Sequence, residues 1–410
     1  MNAYFASIEQ VGNPALRGKP VIVCGEGRTV ITTSSYEARA YGIKTAMTPG
    51  EAKKLCPRVI RVTGDMEKYV ATTRKIRDIL TCFTDRVEFF SIDEAFMDIT
   101  DCPGGRTPVD IARDIKSRIK REIGIGCSIG IAPNKLLAKL ASDMKKPDGL
   151  VVINSENARS IMKDLPVEKL CGVGNKLARA LLNIGIKTAG ELADTPVDLL
   201  ARHFGFWGHV LSRMGKGIDD TPVSFYYEDK PVKSVGHSYT LPRNTLDEPV
   251  LRSYLLMLCE KTGSRMRSYS MRGRTVSVAI RYSDFSTFSR QNSLKHLISD
   301  SRDIYRAACG IFSKFLPLKK PVRLLGVSVS NLECDSNQQV MLDTCCRQES
   351  MIRTVDGINN KYGEFTVKPA SLIIAERYGI LPPPGMAPGR HTGVKINGKN
   401  GKNRDKRVFV

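Results

Sequence analysis

Ser91-Ile92-Asp93-Glu94-Ala95-Phe96 sets two adjacent carboxylates inside an otherwise apolar run. Burying such a pair is costly unless cations neutralise it. Neighbours on an extended strand point to opposite faces, so both side chains reach one site only near a bend or through metal ions at the strand end. Two hard divalent cations such as magnesium, held by carboxylate oxygens, are the natural partner and serve in-line phosphoryl or nucleotidyl transfer. An isolated Asp-Glu dipeptide is more often a surface pair; here the apolar flanks favour a site.

Strands and helices alternate on either side of this stretch. Residues 86–100 read as two strands, Val21–Cys24 and 29–32 as short strands, and Pro49–Leu55 as a helix stopped by Cys56-Pro57. Thr107 is an N-cap with Pro108 at the first helical position, and Ile111, Ile115 and Ile119 give the helix that follows one apolar face. Residues 126–131 read as a strand and 134–144 as a helix ended by Lys145-Lys146-Pro147. After Asn154 the texture changes to short helical pieces punctuated by glycine, and it changes again after Pro231. There Leu251, Leu255 and Leu258 mark a helix, and residues 301–315 another. Residues 275–282 alternate with Val276, Val278 and Ile280 inward, and 322–331 with Leu325, Val327 and Val329 inward. The expected result is a small α+β domain that presents Arg274, Arg281 and Ser328 opposite its core.

The 63 Lys and Arg against 42 Asp and Glu leave a net charge of +21, unevenly placed. Residues 233–330 carry 17 basic and 6 acidic side chains, and residues 385–410 carry 7 and 1. Such a surplus in a folded segment suits a polyanion, because neutralising phosphates releases condensed counterions; a solvated basic face is an equal alternative on charge alone. With 410 residues the chain has room for two to four domains. No window approaches the eighteen or so apolar residues of a membrane span, and the amino terminus lacks a signal pattern, so a cytoplasmic protein with no membrane association is expected. The eleven cysteines include no Cys-x-x-Cys pair and accompany only five histidines, which argues against a disulfide framework or a zinc site.

Two further constellations carry chemistry. Thr33, Tyr36 and Arg39 put a hydroxyl, a phenol and a guanidinium at offsets of three, a spacing that aligns groups on one helical face where they could hold the oxygens of a triphosphate; Lys146 is a further cation. Spacing alone leaves ordinary surface charge as the competing explanation. Cys171-Gly172-Val173-Gly174, a helix, Ile184-Gly185-Ile186 and a second helix form a helix-hairpin-helix pattern whose glycines let backbone amides approach a phosphate, or else simply make a tight turn.

Tyr4-Phe5-Ala6-Ser7-Ile8-Glu9, Tyr36-Glu37-Ala38-Arg39, residues 91–96, Lys145-Lys146-Pro147-Asp148-Gly149, Gly172-Val173-Gly174, Lys233-Ser234-Val235-Gly236-His237 and Arg323-Leu324-Leu325-Gly326-Val327 occur in this order at fitting distances. Together they resemble the Y-family translesion DNA polymerases, of the bacterial DNA polymerase IV type, over residues 1–332. The resemblance implies an α+β, multidomain right-hand polymerase: palm at 1–5 and 65–153, fingers at 6–64, helix-hairpin-helix thumb at 154–220, linker at 221–232 and little finger at 233–332. A C-terminal extension at 333–384 and a basic, disordered tail at 385–410 follow.

By the same resemblance Asp93 is a metal ligand and Glu94 the carboxylate that helps assemble and activate the primer 3′ hydroxyl. Tyr36, Arg39 and Lys146, with Thr33, form the triphosphate clamp, and Phe5 is the steric gate against a ribose 2′ hydroxyl. Gly172, Gly174, Gly185, Arg274, Arg281 and Arg323 meet DNA. Implied partners are primer-template DNA, deoxynucleoside triphosphates and two Mg2+ ions bound to a monomer. Gln339 and Leu342, in Gln338-Gln339-Val340-Met341-Leu342-Asp343, loosely match sliding-clamp peptides, although the usual aromatic is absent and a plain linker is an equal alternative.

The chain departs from the family at its start. The family pattern places an apolar strand ending in Asp before the residue equivalent to Met1, so one of three metal-binding carboxylates is missing, and the expectation is that Met1 is an internal methionine of a longer frame. The absence should leave sheet groups unpaired and put the Met1 ammonium near the cation site. The leading expectation is an error-prone, template-directed DNA polymerase. The alternatives are a catalytically impaired DNA-binding paralogue and a nucleotide cyclase, the latter disfavoured by the thumb glycines and the basic domain.

Overall fold

A computed structural model describes residues 1–102, 105–228, 231–334 and 343–373, those of 343–346 by backbone alone. The chain forms two compact units: one of Met1–Cys24, Val30–Gly64 and Lys68–Glu228, the other of Gly25–Thr29, Asp65–Glu67 and the chain from Asp229 onward. Gln339, Leu342 and the basic tail lie outside the described residues.

The first unit begins with α1 (Tyr4–Gly12), β1 (Val21–Cys24), β2 (Ile31–Ser34), α2 (Tyr36–Arg39), α3 (Pro49–Leu55) and β3 (Ile60–Thr63). Its three-stranded sheet has the order β2-β1-β3, with β1 antiparallel to β2 and parallel to β3. Every residue of β1 is buried, and Ile22, Ile31, Ala38, Ile43 and Ala52 form the core beneath. A reciprocal Thr48–Glu51 cap starts α3. The second strand begins at Ile31 rather than residue 29 because the Thr29 hydroxyl accepts from the Gly25 amide (3.1 Å), which closes a turn there.

Next come α4 (Met66–Leu80), the hairpin β4 (Val87–Phe89) and β5 (Ala95–Met97), α5 (Pro108–Ile123), β6 (Ile129–Ile131), α6 (Lys135–Met144) and β7 (Leu150–Val152). Thr107 and Asn134 cap α5 and α6 through the Asp110 and Leu137 amides, and Ile111, Ile115 and Ile119 are buried as their spacing requires. Strand β6 starts at Ile129 rather than 126, since the Gly126 carbonyl accepts from the Asn2 amide (3.1 Å) instead of joining the ladder with β7. Helix α6 lies so close to β6 that a Cβ at Gly130 would stand 2.2 Å from the Ala138 carbonyl oxygen. Among the described residues β4-β5 and β6-β7 are separate two-stranded sheets.

Helices α7 (Ser155–Lys163), α8 (Asn175–Asn183), α9 (Ala189–Asp194), α10 (Val197–Phe204) and α11 (Phe206–Gly215) complete this unit around Leu181, Leu192, Leu200 and Leu211, all fully buried.

The second unit contains β8 (Ser234–Thr245), α12 (Glu248–Ser268), β9 (Met271–Tyr282), β10 (Thr287–Ile298), α13 (Ser301–Phe312), β11 (Val322–Cys334) and α14 (Asp343–Tyr362). The sheet order is β10-β9-β11-β8, antiparallel throughout. Val276, Val278, Ile280, Leu325, Val327 and Val329 are buried in one core with α12 and α13, as their alternation predicts. Arg274 has the parity of the inward valines, contrary to the expected opposite face; it is exposed because it lies near the strand's start, where it pairs with Glu333 at 2.6 Å. The segment after α14 returns to the core through Phe365 and Leu372, and Arg267 grips Asp356 with two hydrogen bonds of 2.6 and 2.8 Å.

Candidate functional site

The two carboxylates sit at a bend, the condition under which neighbouring residues can serve one site. The Phe90 and Ser91 amides both donate to the Glu94 carbonyl (2.9 and 3.2 Å), closing the β4–β5 hairpin, while the Thr73 hydroxyl holds the Ile92 carbonyl at 2.7 Å. Asp93 and Glu94 are 30% and 29% exposed and line a cleft of about 550 Å3. Lys139, Lys146, Ser128 and Met1 line the same cleft, together with Ile111 and Ile115 of α5.

Cations already surround the carboxylates. The Met1 ammonium donates to the Asp93 carbonyl at 2.7 Å and stands 3.8 Å from Asp93 Oδ2. Burial lowers its pKa although Asp93 opposes the shift. Lys139 donates to Glu94 Oε1 (2.6 Å) and pairs with Asp143 at 3.2 Å, and Asp143 pairs in turn with Lys146 at 2.6 Å. Burial pulls the Lys139 ammonium down, but Glu94 and then Asp143 outweigh it and leave its pKa raised. Burial pushes Asp143 up, yet Lys146 and Lys139 hold its carboxyl below the usual range. Lys139 and Asp143 are not distinguished in the sequence: their i, i+4 spacing, with Lys146 three residues on, marks an ion-pair network on a helix but not its contact with Glu94.

The other expected groups fall in separate places. Thr33 lies on β2, so it does not share a helical face with Tyr36 and Arg39, and the offset argument holds only for those two, on the four-residue α2. None of the three lines the cleft. The Arg39 guanidinium lies 4.8 Å from the Tyr36 ring centroid and donates to the Ser34 carbonyl. The Tyr36 hydroxyl is buried without a hydrogen-bond partner among the described residues. Phe5, on α1, stacks on Tyr69 with ring centroids 4.3 Å apart and is half-buried. In the helical segment Gly172 and Gly185 have φ of 96° and 87°, left-handed values that favour glycine, whereas Gly174 at −81° caps α8 with open space around its Cα. On the four-stranded sheet Arg281 donates to the Thr287 hydroxyl, and Arg323 lies 4.4 Å over the Phe285 ring. Burial, and then the charges of Arg28 and Arg281, lower the Arg323 pKa.

Residues 1–143 match the impB/mucB/samB family and residues 232–342 its C-terminal domain. The chain is 39% identical over 372 residues to DNA polymerase IV of Moorella thermoacetica, covering 89% of this chain and 93% of that protein. It is 37% identical over 386 residues to DNA polymerase IV 1 of Bacillus subtilis, covering 92% of each. Two solved structures share its fold over 81% of this chain and 97% of theirs: a Y-family DNA polymerase chimera, Dbh-Dpo4(243-245)-Dbh, with a TM-score of 0.74 at 29% identity, and DinB from Sulfolobus solfataricus, with 0.52 at 28%. The fold is that of the right-hand polymerases of the Y family. Within that class, the chain belongs to the impB/mucB/samB family.

Membership implies dependence on a divalent metal. The donors fit a hard cation in kind, since two carboxylates line one cleft, and magnesium characteristically takes one or two protein carboxylates plus substrate phosphates. Among the described residues no cluster of three or more His, Cys, Asp and Glu offers an all-protein cage. No helix of the described residues is long and apolar enough to cross a membrane.

Proposed function

We propose that this chain is an error-prone, template-directed DNA polymerase that performs translesion synthesis by nucleotidyl transfer, joining a deoxynucleotide to a primer 3′ hydroxyl and releasing pyrophosphate. The observation that carries the reading is the pair Asp93 and Glu94, brought by a hairpin bend to a cleft with Lys139 and Lys146 in a chain of this family. Asp93 and Glu94 would hold Mg2+, as two ions. The metal would supply Lewis-acid stabilisation of the charge that develops on the transferring phosphate.

The side chains divide the remaining work. Glu94 orients the primer hydroxyl and favours loss of its proton. Lys146, released from Asp143, meets triphosphate oxygens together with Arg39, the Thr33 hydroxyl and the unpartnered Tyr36 hydroxyl. Phe5 sets its ring against the sugar and disfavours a ribose 2′ hydroxyl. Gly172, Gly174 and Gly185 open the backbone to DNA phosphates, and Arg274, Arg281 and Arg323 offer cations on a four-stranded sheet. Gln339 and Leu342 are proposed to contact the replicative sliding clamp, and the protein acts as a monomer in the cytoplasm, at the nucleoid when engaged.

Primer extension tests the assignment. With Mg2+, the protein is expected to extend a primer opposite an intact and a damaged template base, and Glu94→Ala to lose at least about a hundredfold in rate while keeping its primer-template affinity. Equal extension by Glu94→Ala removes the site from the chemistry.

A further inference from the structure

The loop carrying Lys146 runs from the end of α6 to the start of β7. Asp148 adopts the left-handed backbone (φ 58°), a region uncommon outside glycine, although Asp enters it more readily than most. Gly149 packs against the turn so closely that a Cβ would lie 2.0 Å from the Lys145 carbonyl oxygen.

Besides the Gly149 bonds to Ile129 and Ser128, one ammonium holds the loop. Lys116 projects from α5 and is 17% exposed. Its Nζ donates to the Cys127 carbonyl (2.8 Å), the Asp148 carbonyl (2.7 Å) and Asp148 Oδ1 (2.7 Å), with the Gly149 carbonyl at 3.4 Å. An ammonium has three donors, and three close oxygens take them all. Two of those oxygens are main-chain, so the cation ties the approach to β6 and the approach to β7 directly, at the strand ends where the Ile129 amide also bonds the Gly149 carbonyl (3.0 Å). On the other side of the same turn the Ser128 hydroxyl accepts from the Gly149 amide (3.1 Å) and donates to Asn2 Oδ1 (3.0 Å).

We propose that Lys116 is a positioning residue for nucleotide binding: it fixes the 145–149 loop and thereby places the Lys146 ammonium for the triphosphate. It touches neither substrate nor reacting atoms. The proposal rests on the triphosphate role given to Lys146 above and adds how that cation is held. Charge attraction at a distance is a lesser part, because the Asp148 carboxylate already offsets the Lys116 charge; the effect is geometric, and small displacements of a positioning group are expensive.

The test uses the full chain bound to a dideoxy-terminated primer-template with Mg2+, so that affinity for the complementary deoxynucleoside triphosphate is read without turnover. Lys116→Met is expected to weaken nucleotide binding about tenfold and leave primer-template affinity unchanged. In Lys146→Ala the further change Lys116→Met is expected to add nothing, since the loop then has no cation to place. Lys116→Arg keeps the charge but cannot converge three donors on three oxygens, so a smaller loss with the same non-additivity is expected, and this variant carries the cycle if Lys116→Met does not fold. Asp148→Asn, which leaves both main-chain acceptors, should bind nucleotide nearly as the parent does. Additive losses in the double variant, or nucleotide affinity within twofold of the parent in both Lys116 variants while Lys146→Ala is impaired, overturn the positioning role alone. Unchanged affinity in Lys146→Ala overturns the triphosphate reading and the positioning role with it.

Discussion

Tyr36 poses a sharper physical question than the carboxylates do, because its hydroxyl is buried with nothing to bond among the described residues. Leaving such a group unmade costs about 1–3 kcal/mol, a strain the free protein bears and a ligand oxygen would relieve. Tyr36→Phe therefore separates folding from binding. Its thermal unfolding midpoint is expected to stay level or rise, while nucleotide affinity falls about tenfold, the value of one hydrogen bond to a charged acceptor. A drop in both, measured by calorimetry and nucleotide titration, would show that the hydroxyl serves the fold instead. Asp93 and Glu94 could be read from sequence because apolar flanks made their charge conspicuous. Lys116 and Lys139 could not, since a lysine on a helix with mixed neighbours is ordinary until the chain folds three carbonyl and carboxylate oxygens onto one and Glu94 onto the other.

Glycines at two elements make opposite predictions. At Gly130 an added methyl meets the Ala138 carbonyl at 2.2 Å and the Ser142 amide at 2.4 Å, so α6 would have to move off β6. Gly130→Ala is expected to cost about 3 kcal/mol and to disturb the cleft that Lys139 and Lys146 line, both visible in chemical denaturation and primer extension. At Gly174 the space is open and φ is ordinary. Gly174→Ala should fold within about 1 kcal/mol of the parent, yet lose DNA affinity if phosphate approaches the start of α8; unchanged affinity removes that glycine from the interface.

Helix α12 supplies a pH test. Burial raises the Glu260 carboxyl above its ordinary 4.5, against hydrogen bonding from Ser301 and the charge of Arg267. A raised acid penalises the folded state once it ionises: the penalty is absent below pH 4.5, where the group is protonated in both states, and complete above the folded pKa. Glu260→Gln should thus raise the melting temperature at pH 7 and converge on the parent near pH 4; a constant offset would trace the effect to packing. Caps and periodicity made α3, α5, α6 and α12 legible, whereas β10 escaped, because an edge strand exposed on both faces has no hydrophobic alternation to read.

Across the whole molecule the decisive quantity is where the +21 charge sits and whether opposite charges already answer it. Composition revealed the surplus in residues 233–330 but not which cations are free to meet a polyanion. The fold sorts them. Arg274 is answered by Glu333 and Arg267 by Asp356, each at 2.6 Å. Arg323 instead has its pKa lowered by burial and by two further arginines, Arg28 and Arg281, a crowding that a phosphate would relieve. Binding to primer-template should accordingly weaken as salt rises, with a log–log slope reflecting several released counterions. Arg281→Ala and Arg323→Ala should each reduce that slope by about one, and Arg274→Ala by less, because Glu333 already holds that guanidinium. Titrations of each variant from low to high salt read the slopes directly. If all three reduce the slope equally, the ion pair with Glu333 opens on binding and Arg274 belongs to the interface after all; if none does, the DNA contact lies elsewhere on the basic surface.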